Sequence, residues 1–175
     1  MSSAVRTRTL SRLGLLGAAA VAAYVFESLL PMPVPWARVG LSNVFVLVAL
    51  FGMGFRGALA VNLVRILAGN LLLGILLSPA SVLSLAGSTA ALVVMTGARH
   101  GLVPPLSVVG TSCLGASTNN VVQAMLFTSL LSGSGLMPGL IGVFLLLGVA
   151  VGLVTGFIAA GILSKVSLES SESVG

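Results

Sequence analysis

Arg65 stands near the middle of an apolar stretch, Gly57–Leu77 (GALAVNLVRILAGNLLLGILL). A charge at the centre of a lipid-spanning segment costs roughly 2.5–3.5 kcal/mol on insertion scales, and such residues face a bundle interior or a wet cavity. At helical spacing Asn62, Arg65 and Gly69 share a face, with Asn70 about 100° round the axis. Arg65 then lies on the order of 12 Å along the helix from the inner edge, a long way for its stem to snorkel. A guanidinium held at that depth attracts an anionic group, supplied either by the chain or by a solute.

A second polar concentration lies in Thr111–Gln123 (TSCLGASTNNVVQ), where Ser112, Ala116, Asn119 and Gln123 align and Asn120 flanks them. Serine and threonine satisfy themselves against their own helix carbonyls. Carboxamides do not, so Asn119, Asn120 and Gln123 need partners on other helices or on a ligand. Glu27 is the one acid outside the C-terminal tail. It lies opposite a small-residue stripe, Gly14, Ala18 and Ala22, which lets another helix approach while Glu27 points into the bundle. Pairing with Arg38 or Arg65 explains Glu27 as well as a ligand does. The candidate lining of a solute site is therefore Glu27, Arg38, Asn43, Arg65, Asn70, Asn119, Asn120 and Gln123. Arg65 would draw an anionic group and the carboxamides would set hydrogen-bond geometry.

The elements that must position these groups are membrane helices. The chain is 57% hydrophobic and 6% charged, with 22 glycines in 175 residues, whereas a soluble domain carries about 25% charged residues. Measured against the roughly 20 residues that cross a bilayer, hydropathy suggests six transmembrane helices in an all-α integral membrane protein. They are placed near Leu13–Leu30, Leu41–Met53, Gly57–Leu77, Val82–Gly97, Leu106–Leu131 and Leu136–Leu163. Turn signals separate them at Pro31, Pro33 and Pro35, at Gly52 to Gly57, at Ser78 and Pro79, at Gly101 to Pro105 and at Ser132 to Gly135. The domain reading is a basic N-terminus over 1–12, a transmembrane domain over 13–164 and a polar, disordered tail over 165–175.

The first apolar run follows arginines, as a secretory signal does, but its length and its ending in Glu27 and a proline-rich loop favour a retained span. With the N-terminus inside, the inner segments hold Arg6, Arg8, Arg12, Arg56, Arg99 and Lys165, and the outer loops only Arg38. That asymmetry places both termini in the cytoplasm of a multi-pass plasma-membrane protein. The net charge of +5 is thus a topology signal; cations scattered between spans make no nucleic-acid patch. The last span carries a packing stripe at Gly148, Gly152 and Gly156, continued by Ala160. The loop Pro31–Gly40 (PMPVPWARVG) offers Trp36 as an interface or ring-stacking residue.

Enzyme chemistry finds little material. The chain has no aspartate, and Glu169 and Glu172 lie in the tail. His100 reads as a solvated loop residue, and Cys113 as a small packing residue that cannot form an intrachain disulfide. No catalytic constellation, metal site or cofactor motif emerges, and with no nucleotide motif any active transport would draw on partner proteins or an ion gradient.

The order of Glu27, the proline-rich loop, RVGLSNVFVLVAL (Arg38–Leu50), RILAGNLLLG (Arg65–Gly74), SLAGS (Ser84–Ser88) and VVGTSCLGASTNNVVQA (Val108–Ala124) resembles one small membrane family over roughly Leu13–Leu163. It is known both as the Gx transporter family and as heptaprenyl diphosphate synthase component I. It is similar to the substrate-binding S components of energy-coupling factor (ECF) transporters. The resemblance implies a six-helix S-component-like bundle that binds a small-molecule solute from outside and partners a scaffold membrane subunit and two ATPases. In S components an AxxxA stripe on the first helix meets the scaffold, and Ala18 and Ala22 match that spacing. Where the family pattern carries a His–Asn pair this chain has Asn119–Asn120, so no histidine-linked proton role carries over. The two family names imply different functions. One is a substrate-binding component taking up a small anionic solute. The other is a non-catalytic membrane anchor of a prenyl synthase complex, because chain elongation needs aspartate-rich motifs to hold Mg²⁺ on the diphosphate.

Overall fold

The computed structural model describes residues 3–30, 40–101, 106–129 and 138–172, with side chains left out at 3–6, 138–140 and 167–172. The described chain is helical, with no strand: α1 (Ser3–Ser28), α2 (Leu41–Leu72), α3 (Pro79–Arg99), α4 (Val108–Phe127) and α5 (Pro138–Glu172). Stretches in α1, α2, α3 and α5 are long and apolar enough to cross a membrane. α4 has the length but carries the polar run. The expected loop Pro31–Arg38, with Trp36, and the turn at Ser132–Gly135 lie outside the described residues.

Local chemistry sets the ends. Ser78 caps α3, accepting from Ser81 N–H, and Pro79 fills the first helical turn, where a missing N–H leaves no bond unmade. Ser107 caps α4 by accepting from Gly110 N–H. At the far end of α3, exposed His100 donates its N–H to the Thr96 carbonyl, and Gly101 follows at φ 94°, the left-handed position that ends many helices. The helices also run past the hydropathy limits. α1 is already helical at Ser3 and α5 continues to Glu172, because hydropathy marks where lipid would begin and not where backbone hydrogen bonding stops.

The expected spans Leu41–Met53 and Gly57–Leu77 fall on two helices that join directly at Gly54 (φ 78°, ψ −173°), the two arms of α2, the second of which ends at Leu72. That backbone region is essentially glycine-only. In a straight helix Ser42 and Arg65 would lie roughly 35 Å apart, yet Arg65 Nη1 is 3.0 Å from Ser42 Oγ. The chain therefore reverses at Gly54 and the arms run antiparallel. Arg99, from the end of α3, closes the reversal. Its guanidinium donates to the carbonyls of Leu50 and Phe51 and sits 4.9 Å from the Phe51 ring centroid, satisfying carbonyls that a helix end leaves orphaned.

Packing is by small residues. α5 lies antiparallel on α4 with Gly148, Gly152 and Gly156 facing the α4 backbone. A Cβ built at Gly148 would sit 2.3 Å from Ser117 Cα, at Gly152 2.3 Å from Cys113 Cα, and at Gly156 2.8 Å from Val109 Cα. α1 and the second arm of α2 run parallel, with Gly17 near Val64 and the Tyr24 ring pressed on Gly69. Gly14, Ala18 and Ala22 of α1 are exposed, and nothing lies within 4 Å of a Cβ at Gly14. Large apolar side chains such as Leu15, Leu72, Leu146 and Phe157 point outward, while Glu27, Asn62, Arg65 and Asn70 are buried. Polar groups inside and hydrocarbon outside is the distribution that lipid as solvent selects.

Gly152→Ala places a methyl group against rigid α4 backbone and is expected to destabilise the fold by about 1–3 kcal/mol. Gly161→Ala on the same helix, with nothing within 4 Å, should leave the thermal midpoint in detergent unchanged. Equal midpoints for both variants would show that the α4–α5 contact is looser than described.

Candidate functional site

The site is built around the Arg65 side chain, only 4% exposed. Arg65 Nη2 donates to Asn62 Oδ1 (2.7 Å), three residues earlier on the same helix face. Nη1 donates to Ser42 Oγ (3.0 Å) and to Asn43 Oδ1, both at the start of the first arm of α2. Ser42 passes the connection on. Its N–H reaches Glu27 Oε1 (3.1 Å) and its hydroxyl Glu27 Oε2 (3.2 Å). The N-cap of α2 is Gly40, which has no side chain to satisfy the first N–H groups, so the carboxylate of α1 caps α2 from outside. A helix N-terminus favours that negative charge. Glu27 and Arg65 are thereby joined through one serine, with α1 and both arms of α2 held together.

Tyr24, three residues before Glu27, lies beneath the guanidinium, with Arg65 Cζ 5.9 Å from its ring centroid. Its hydroxyl donates to Asn70 Oδ1 (2.7 Å), and Asn70 Nδ2 donates to Ser81 Oγ (2.8 Å). Asn62 Nδ2 donates to Ser88 Oγ (3.2 Å), which ties α3 to the cluster a second time.

Across from Arg65, Gln123 Nε2 donates to Asn119 Oδ1 (2.9 Å) on α4. These two residues, with Asn120, face Glu27, Asn43 and Arg65 over a cavity of about 30 Å³. A second cavity of about 20 Å³ adjoins it and shares Asn43, Ser88 and Asn119. Water needs at least about 10–15 Å³ on this measure, so the chamber has room for one or two waters with polar partners. Small-molecule pockets commonly run to several hundred Å³, and the chamber in this conformation is closed to a solute of vitamin size.

Of the candidate residues, the structure gathers Glu27, Asn43, Arg65, Asn119, Asn120 and Gln123 around this chamber. Asn70 lies apart from it, bonded to Tyr24 and Ser81. Arg38 lies outside the described residues. Sequence reasoning missed Tyr24 and Ser42. Tyr24 is the chain's only tyrosine and shares a helix face with Glu27 at i, i+3, a signal that was available. Ser42 carried none, since a serine's partner depends on what lies opposite it. Among the described residues no three His, Cys, Asp or Glu side chains come together to hold a metal ion. The chamber can accept and donate hydrogen bonds to a small polar group, and it supplies one carboxylate and one guanidinium already joined to each other.

Residues 16–162 match the family model described as heptaprenyl diphosphate synthase component I. No curated protein and no solved structure matched the chain.

Removing one member of a buried charge pair leaves the other uncompensated, at roughly 3–5 kcal/mol. Arg65→Met is accordingly expected to lower the thermal midpoint in detergent sharply. Glu27→Gln combined with Arg65→Met should recover part of the loss, and a double variant no better than the single would break the proposed coupling.

Proposed function

We propose that this chain, which belongs to the heptaprenyl diphosphate synthase component I family, is a non-catalytic, membrane-embedded subunit of a polyprenyl diphosphate synthase. The observation that carries this reading is the family match over most of the chain, set beside the lack of any aspartate. Prenyl transfer needs several carboxylates to hold Mg²⁺ on a diphosphate. The one carboxylate described inside the fold, Glu27, is buried and bonded to Ser42. The chemistry then belongs to a partner subunit, and this chain seats it on the membrane that receives the apolar product. In this reading α1, the two arms of α2, α3, α4 and α5 make six crossings of the plasma membrane. Both termini are cytoplasmic, and the end carrying Arg12, Arg56, Arg99 and Lys165 faces the partner.

A second reading is favoured by one feature, the polar chamber to which four helices contribute Glu27, Arg65, Ser84 and Gln123. It makes the chain a substrate-binding component of a transporter, resembling an ECF S component, that takes up a small anionic solute with a scaffold subunit and ATPases. The exposed face of Gly14, Ala18 and Ala22 would meet the scaffold. At about 30 Å³ the chamber would have to widen by movement of α4 away from α1 and α2.

Copurification separates the readings. A tagged full chain extracted in mild detergent is expected to bring down a soluble prenyl synthase subunit and to shift its activity to the membrane fraction. Recovery of a scaffold subunit with ATPases, or of a tightly held solute identified by mass spectrometry and lost in Arg65→Ala, would instead establish the transport reading. Recovery of neither partner, with synthase activity staying soluble, would reject the anchor.

A further inference from the structure

At the end of the bundle carrying the Gly54 reversal, α1 and α2 flank a larger space that is open to the surface. It is a cavity of about 370 Å³ whose polar wall is Thr9, Arg12 and Arg56 and whose floor includes Met53 and Gly57. It shares Leu13 with a furrow of about 250 Å³ lined only by apolar residues, Gly14, Gly17, Val61 and Val64 among them. Because α1 and the second arm of α2 run parallel, the furrow leads from the two arginines toward the bundle's middle. At Gly14 the furrow is open, with nothing within 4 Å of a built Cβ.

The arginines are the informative part. Arg99, at the same end, is engaged with the carbonyls of Leu50 and Phe51. Arg12 and Arg56 are exposed, and neither makes a hydrogen bond or ion pair with any described residue. A positive-inside bias accounts for the side of the membrane on which they lie. It does not account for two guanidiniums lining one cavity that opens into an apolar trough. Guanidinium forks match phosphate oxygens bidentately, and basic pockets between helices at the cytoplasmic face suit anionic head groups. The geometry points to a binding site for an amphiphile, with its phosphate or diphosphate head on Arg12 and Arg56 and its hydrocarbon tail along Leu13, Gly17 and Val64. This site is distinct from the Arg65 chamber, and it depends on the chain spanning a membrane but not on a synthase partner.

Two sources share this chemistry, an anionic phospholipid of the inner leaflet and a prenyl diphosphate. Native mass spectrometry of the full chain in neutral detergent distinguishes them, using farnesyl diphosphate, phosphatidylglycerol, phosphatidylcholine and farnesol as probes. At least one anionic amphiphile is expected to bind tenfold or more tightly than farnesol or phosphatidylcholine. Preference for farnesyl diphosphate identifies a prenyl source, and preference for phosphatidylglycerol a lipid source; either upholds the site. Arg12→Gln with Arg56→Gln should lose at least tenfold in that binding, and Arg12→Lys with Arg56→Lys should lose less. Gly14→Leu, which fills the furrow, should weaken amphiphile binding while leaving elution and thermal midpoint unchanged. Equal binding of charged and uncharged amphiphiles by the native chain would overturn the proposal, as would undiminished binding in a folded Gln double variant.

Discussion

A guanidinium inside a bilayer has to be satisfied by the protein that carries it, since lipid offers neither water nor acceptors. In this chain the requirement shapes the whole centre of the bundle. Arg65 takes its acceptors from Asn62 on its own helix and from Ser42 and Asn43 on the opposite arm of α2, and Ser42 in turn donates to Glu27 on α1. Asn62 extends the network to α3 through Ser88. Lipid tails are as apolar as leucine, so apolar collapse does not drive these helices together as it would in water. Directional hydrogen bonds fix which helices meet, and small residues fix how closely they approach.

Different helix pairs are held by different means. α1, α2 and α3 are joined by the polar network, with Tyr24 wedged against Gly69 and bonded to Asn70. α4 and α5 are joined by backbone proximity at Gly148, Gly152 and Gly156, supplemented by the Ser112–Thr155 hydroxyl pair at 2.8 Å. The chamber lies between this network and α4, with Arg65 on one side and the Asn119–Gln123 pair on the other, and α3 packs on α4 as well, where a Cβ built at Gly87 would sit 3.0 Å from the Asn119 carbonyl oxygen. At about 30 Å³ the chamber has room only for groups the size of water in this conformation.

Much of this was legible in the residues. Composition pointed to a membrane protein, because 6% charge cannot cover a water-facing surface, and the long apolar runs pointed to helices. Helical spacing put Asn62 with Arg65 and Asn119 with Gln123, and each of these pairs is hydrogen bonded. The Ser78–Pro79 and Gly101 signals fell at true helix ends. The glycine cluster from Gly52 to Gly57 marked the right place for a break, but periodicity could not show that a single residue, Gly54, would suffice.

What the sequence determined by itself is local: which stretches are helical, which faces are polar, and that a charge at Arg65 needed a partner. Tertiary structure decided the partner and its route, through Ser42 and not directly. It also decided that Asn70 would turn to Tyr24 and away from the chamber, and that the central space would be small while a larger one opened beside Arg12 and Arg56. The reason is physical. Backbone hydrogen bonds within a helix join residues four apart, so short-range pattern sets them. A side chain's partner and the volume of a cavity depend on residues that lie far away along the chain and become neighbours only when the helices pack.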